Sequence, residues 1–304
     1  MIELSDAVLG VILALLSAIG FAGQFLGVRL GTDDGEVADA VLIVLLCNLI
    51  IVAPIVIVRY PLSYSSLFTQ TSLLAFIAAG IAGTFIARIL MFKSIDTIGG
   101  SLTAPIIASN VLFATVFAVL FLGEGLTIIH FVGIILLVVG IAVISLETAV
   151  TSTTGKSIRD SGMILIVPLL SAALIGVEPI FVSIGLAEGT PILPGFLVMA
   201  SVATVGYVGY LVSIRSLQLF PLWSTSTGWC VFAGISTTFG FIAYFGALTV
   251  APVVIVIPLM QLTPLVVIVI SALFLPRRLE HVTWRVVASG LVIVLGAILV
   301  SISA

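Results

Sequence analysis

MILIVPLLSAALIGVEPIFVSIGLA, residues 163–187, is an apolar run long enough to cross a hydrocarbon core about 30 Å thick as a helix. Within it stands Glu178, the only acidic residue placed well inside any of the long apolar segments. An ionised carboxylate at the bilayer centre costs roughly 2.5–3.5 kcal/mol on insertion scales, so a segment that only had to span would not carry one. Pro179 lacks an N–H donor and its ring pushes away the carbonyl four residues back, so the sequence predicts a helix interrupted here. A charge beside a helix break inside a bilayer is read as a functional site. The structural alternative is a protonated Glu178 tied to a backbone carbonyl that Pro179 has freed.

Working outward, the 304-residue chain is 62% apolar and 8% charged, whereas a soluble domain carries about 25% charged residues. This composition excludes a soluble enzyme and a nucleic-acid binder and predicts an all-α polytopic membrane protein. Ten apolar segments follow one another, roughly at 6–28, 38–58, 71–93, 100–122, 127–147, 162–186, 193–214, 228–248, 252–275 and 285–303. Their continuous apolar runs are unlike the short alternating strands of a β-barrel. The start, MIELSD, has no basic residue, so the first segment is read as a retained span and not as a signal peptide. Cys47 and Cys230 fall in the second and eighth segments, where small packing residues are expected in place of a bridge or metal pair.

Laid on itself with a shift of about 154 residues, the chain repeats. Leu15–Ala18 recurs as Leu169–Ala172, and Ala79–Ile81 with Thr84 and Phe85 recurs as Ala233–Ile235 with Thr238 and Phe239. Pro105 meets Pro258, and Leu120–Leu122 meets Leu273–Leu275. After a small insertion the shift becomes 156, and Glu124, Thr127, Gly140 and Ser145 meet Glu280, Thr283, Gly296 and Ser301. The order and near-constant offset predict a tandem repeat, 1–147 and 162–304, joined by a polar linker at 148–161. Each copy holds five spans, an odd number, so the second enters the membrane from the opposite side. Inverted repeats of this kind place a substrate site near the midplane, where the copies meet.

The LFLGEGLT stretch at Leu120–Thr127 closes a segment opened by Thr103–Pro105, and a helix with Gly133 and Gly140 follows. In these motifs, and in length and repeat, the chain resembles the EamA branch of the drug/metabolite transporter superfamily. That resemblance implies ten transmembrane helices as two inverted five-helix repeats, alternating access, and a central cavity lined by spans one, three, four, six, eight and nine. The second copy departs at PRRLEHVT, leaving Glu280 as the counterpart of Glu124.

Polar side chains within spans face the bundle interior or a wet cavity. Six candidates for substrate binding or coupling lie on the implied cavity spans: Gln24, Arg88, Asn110, Glu178, Tyr244 and Gln261. Gln24 is the repeat counterpart of Glu178, so the two copies present a neutral and an acidic residue at one position. For Gln24, Asn110 and Gln261 the plain alternative is interhelical hydrogen bonding, worth about 0.6 kcal/mol each. Arg88 either snorkels to headgroups, pairs with Glu178 or holds an anionic group. Tyr207 and Tyr210 read as interface anchors, and Asn48 as helix glue. Gly23, Gly27 and Gly31 share one helix face and predict close packing within the fold rather than a dimer seam.

Neither HExxH, GxSxG nor a phosphate-binding GxxxxGK[ST] occurs, so no catalytic residue, metal site or cofactor is expected. The energy source is then an ion gradient (proton or sodium), a substrate gradient or a separate subunit. Basic residues favour the loops after spans one, three, five, seven and nine, which by the positive-inside rule puts both termini outside; the resemblance implies cytoplasmic termini instead. The expected function is secondary transport, in the export direction, of a small polar metabolite such as an amino acid across the cell membrane, with membrane lipid as the surrounding partner. The alternative is a non-transporting component, such as a subunit of a lipid-linked sugar flippase or a scaffold. Oligomeric state is not readable from the sequence.

Overall fold

The computed structural model describes residues 4–32, 37–60, 66–98, 100–150, 165–214, 224–274 and 284–302. These residues form helices α1 (Leu4–Gly31), α2 (Val37–Arg59), α3 (Gln70–Ala79), α4 (Ala87–Ile98), α5 (Gly100–Ala108), α6 (Asn110–Phe117) and α7 (Ile128–Val150). There follow α8 (Ile166–Ala187), α9 (Ile192–Ser213), α10 (Thr225–Val250), α11 (Val253–Met260), α12 (Thr263–Phe274) and α13 (Trp284–Ile302). Two wide-turned π segments, Gly80–Ile86 and Ala118–Leu122, continue α3 into α4 and extend α6. Among the described residues seven helices are long and apolar enough to cross a membrane, and three shorter apolar helices, Ile106–Leu122, Ile128–Ile144 and Ala288–Ile302, accompany them. Glu280 and most of the linker lie outside the described residues.

The predicted interruption at Pro179 is not there: α8 is one helix through it. Proline removes only the bond to the carbonyl of Ile175, and bonds on either side hold the helical path, as transmembrane helices commonly allow. The breaks fall instead in spans four and nine, each three or four residues after the paired prolines Pro105 and Pro258. At the first, the Ser109 N–H reaches back to Ile106 O at 3.1 Å. At the second, Gln261 N–H bonds Pro258 O and Leu262 N–H bonds Leu259 O, both at 3.1 Å. Side chains take up carbonyls at these breaks: Ser109 Oγ to Ile106 O at 2.6 Å, Asn110 Nδ2 to Ile107 O at 2.7 Å, and Thr263 Oγ1 to Met260 O at 2.6 Å.

The chain forms two compact units, one of residues 1–81 and 181–250, the other of 82–180 and 251–304, so each unit draws on both sequence copies. In the first unit α1 packs along α10, α2 on α9 and α10, and α3 on α9. The α1–α10 contact needs glycine. A Cβ at Gly20 would meet Gly240 Cα at 2.6 Å, one at Gly27 the Ala233 Cβ at 2.8 Å, and one at Gly31 the Cys230 Sγ at 2.6 Å. The glycine face is thus used within the fold, with the helices antiparallel. Gly80 lies against Met199 and Val202 of α9, and its repeat counterpart Gly234 against Val44 and Cys47 of α2. Asn48, 1% exposed, accepts from Thr238 Oγ1 at 2.8 Å, as the interhelical reading expects. The start of α3 is fixed by a Thr69–Ser72 capping box, and Thr69 Oγ1 donates to Glu188 Oε2 at 2.8 Å.

We expect Gly27→Leu to destabilise the protein by about 1–3 kcal/mol through overpacking. Gly209→Leu, where a Cβ meets nothing within 4 Å, is the control that leaves thermal unfolding in detergent unchanged. Equal stability of the two variants would show that the α1–α10 contact has room to relax.

In the second unit α7 packs along α13, with α4, α5, α6 and α11 against these and one another. Gly133 abuts the Gly296 carbonyl oxygen, and Gly140 abuts the Ser289 carbonyl oxygen and Ile293. Under the 156-residue shift Ser289 is the counterpart of Gly133, and Gly296 of Gly140. The contact is therefore reciprocal and antiparallel, a local two-fold relation between equivalent helices of the two copies.

Candidate functional site

Four of the six predicted residues, Arg88, Asn110, Glu178 and Gln261, belong to the second unit. Glu178, half-buried on α8, lays its side chain against Gly83 in the π segment Gly80–Ile86. A Cβ at Gly83 would overlap the carboxylate and would stand 2.5 Å from Glu178 Cβ and 2.7 Å from its Cδ. Only glycine admits the Glu178 side chain there, and the wide turn that carries it is a helix irregularity common at functional sites. The adjacent Thr84 is 4% exposed, and its hydroxyl has no hydrogen-bond partner among the described residues. Arg88, half-buried one turn further on, lies within Coulombic range of Glu178. Ser171 Oγ donates to Ala87 O at 2.7 Å and so holds α8 to the start of α4 beside Arg88.

On the same helix, Gly176 touches the other broken span: a Cβ there would stand 2.8 Å from Asn110 O and 2.7 Å from Phe113 Cβ. Asn110, 7% exposed at the break between α5 and α6, accepts from Gln261 Nε2 at 3.0 Å, and Gln261 stands at the break between α11 and α12. One unit therefore brings together an acid, a guanidinium and two carboxamides, with two helix breaks and a π segment around them. Such a set offers donors and acceptors of both charges to a small polar molecule, and discontinuous helices are where transporters commonly build such sites. Replacing Asn110 and Gln261 singly and together by Leu should give a coupling energy of about 0.6 kcal/mol, up to about 1.7, in a double-mutant cycle of unfolding. A coupling near zero would mean that the pair does not hold the two breaks together.

Gln24 and Tyr244 belong to the first unit. Gln24 is half-buried on α1, next to Gly23, where a Cβ would meet Ser236 Oγ at 2.7 Å. Tyr244, 2% exposed, packs with Phe245 at 5.7 Å and Phe241 at 6.2 Å between ring centroids. These rings join Phe196, Phe76 and Phe21 in an aromatic core, and Phe76 is pinned by Gly185 and Gly195. Tyr207 is also 2% exposed, so it is a buried residue of α9 and not the interface anchor expected of it.

The sequence does not single out Gly83, and it presents Thr84 and Ser171 only as members of the repeat. A glycine in an apolar run has no signature of its own, and the π segment depends on neighbours distant in sequence. Glu124 entered only as a motif letter. In the structure it bonds two backbone amides, Val253 N–H at its Oε1 and Val254 N–H at its Oε2, both at 2.8 Å. Burial pushes its carboxyl above the ordinary carboxylate range, and the two N–H donors pull it part of the way back.

The model of the EamA-like transporter family matches this sequence twice, over residues 8–146 and 160–302. No curated protein matches it. Among solved structures, a protein crystal structure superposes with a TM-score of 0.76 over 99% of this chain and 97% of its own, at 14% identity, a likeness of fold alone. Two matches covering nearly all of an apolar chain whose described elements are helices place it: the protein belongs to the EamA-like transporter family and is a multi-pass membrane transporter of the drug/metabolite type.

Proposed function

We propose that the protein is a secondary transporter that exports a small polar metabolite, such as an amino acid, across the cell membrane by alternating access. Glu178 is its coupling or ligand-binding group, and Arg88, Asn110 and Gln261 are its polar companions. The observation that carries this reading is the seat of the Glu178 carboxylate against Gly83, with Arg88 in Coulombic range. A carboxylate held there either exchanges a proton and couples transport to an ion gradient, or stays charged and selects an amino group on the substrate.

Residues 1–147 and 162–304 are read as two inverted five-helix copies making ten spans. The reciprocal antiparallel contact of Gly133 and Gly140 with Gly296 and Ser289 supports this, as does the paired seating of Gly80 and Gly234. Transport requires that the purified protein alone, in liposomes, move a soluble solute from a panel of labelled amino acids, amines and small organic acids, driven by a proton or sodium gradient. A protein that moves none of them, while folded and inserted, would favour the non-transporting component.

A further inference from the structure

Outside the Glu178 cluster a specific polar contact is made by Glu124, which follows α6 and the wide segment that continues it. Helix α11 opens at Pro252, which has no side-chain acceptor to offer the first turn, and its orphan N–H groups at Val253 and Val254 are both taken by Glu124. Two charge-assisted bonds to a helix N-terminus are also favoured by the helix dipole. The turn that presents Glu124 is set by Gly123, whose φ of 68° is left-handed and ends the wide segment Ala118–Leu122.

The geometry has a second end. From Asn110 the chain runs through α6 and the wide segment to Glu124, and from Val253 through α11 to Gln261. Helices α6 and α11 are in contact, and Glu124 meets the start of α11 where Asn110 meets its end. The two arms are thus antiparallel and tied at both ends. Because α11 stops at a break, continuity with α12 does not fix its axial position; the ties and the packing do.

We propose that Glu124 is a positioning residue for transport: by holding the first turn of α11 it sets the register of Gln261 opposite Asn110, about 12 Å away along the helix. The value of this register for transport rests on the function proposed above, but the register itself is testable without any substrate. Cysteines are introduced at both positions (Asn110→Cys with Gln261→Cys) in a Cys47→Ala, Cys230→Ala background of the full-length protein. This removes the tie at one end and leaves Glu124 as the remaining one.

With Glu124 intact, oxidant-driven cross-linking of the two cysteines in nanodiscs should be fast. Glu124→Ala should slow it by roughly tenfold, and Glu124→Gln, which keeps one acceptor oxygen, should fall between. In the cysteine-intact protein, deuterium exchange at the Val253 and Val254 amides should rise in the same order. If exchange rises while cross-linking is unchanged, Glu124 is a local cap only and the proposal fails. If Glu124→Ala does not fold, Glu124→Gln decides: an unchanged cross-linking rate overturns the proposal and a slower rate supports it. Uptake of a ¹⁴C-labelled amino-acid mixture into liposomes is then compared for the same variants. Slower cross-linking with no transport in any protein, unmodified included, would leave the register assignment standing and count against the function.

Discussion

Glu178→Gln should lower solute accumulation in liposomes by roughly ten- to a hundredfold while leaving the folded yield unchanged, the loss expected when one hydrogen bond to a charged group disappears. Glutamine keeps the length and shape that fit against Gly83 and removes the charge that lies in the range of Arg88. The form of the loss separates the two roles. If the carboxyl exchanges a proton during the cycle, the variant loses the response to an imposed pH gradient at every substrate concentration. If the carboxylate stays charged and holds an amino group, the half-saturation concentration rises and the response to the gradient is kept. A variant with wild-type rate and pH profile would make Glu178 a structural residue and remove the observation on which the proposed function rests.

Gly83→Ala is expected to be nearly as damaging, although it adds a single methyl group. The new Cβ would stand 2.5 Å from the Cβ of Glu178, an atom at the root of its side chain that cannot swing away by rotation. Either α8 moves off the π segment or the segment rewinds, at a cost of about 1–3 kcal/mol in stability, and the carboxylate is displaced from Arg88 in both cases. Thermal unfolding and liposome transport should therefore fall together. The test of cause is a cycle with Glu178→Gly, which removes the opposing Cβ. If Gly83→Ala costs as much stability in the Glu178→Gly background as in the wild type, the contact is not the reason.

Much of the protein was legible in one dimension because a bilayer allows few solutions. Backbone groups in hydrocarbon must be bonded within a helix or around a closed barrel, and continuous apolar runs of this length fit only the helix, so their composition announces the membrane. The repeat was legible for a related reason. Equivalent helices keep small residues where their backbones approach, so Gly80 and Gly234, or Gly140 and Gly296, stand at matching places in the two copies. The candidate acid was legible too, since an isolated Glu in an apolar run has a cost that packing alone does not explain.

The helix breaks could not be assigned in this way. Pro179 looks like a breaker and sits inside a continuous helix, whereas the breaks follow Pro105 and Pro258, where Ser109, Asn110 and Thr263 are at hand to take up carbonyls. Proline sets only which bond is missing; the surrounding side chains decide whether the path bends, breaks or continues. The same holds for the partners of each polar residue. Tyr244 and Asn110 are both polar residues in apolar spans, yet one is enclosed by phenylalanines and the other bonds Gln261 across two helix breaks. Helical periodicity tells which residues share a face, but the neighbour that meets the face comes from a helix distant in the sequence. Glu124 with Val253, and Glu178 with Gly83, are contacts of that kind, and only the packing of helices in three dimensions brings them together.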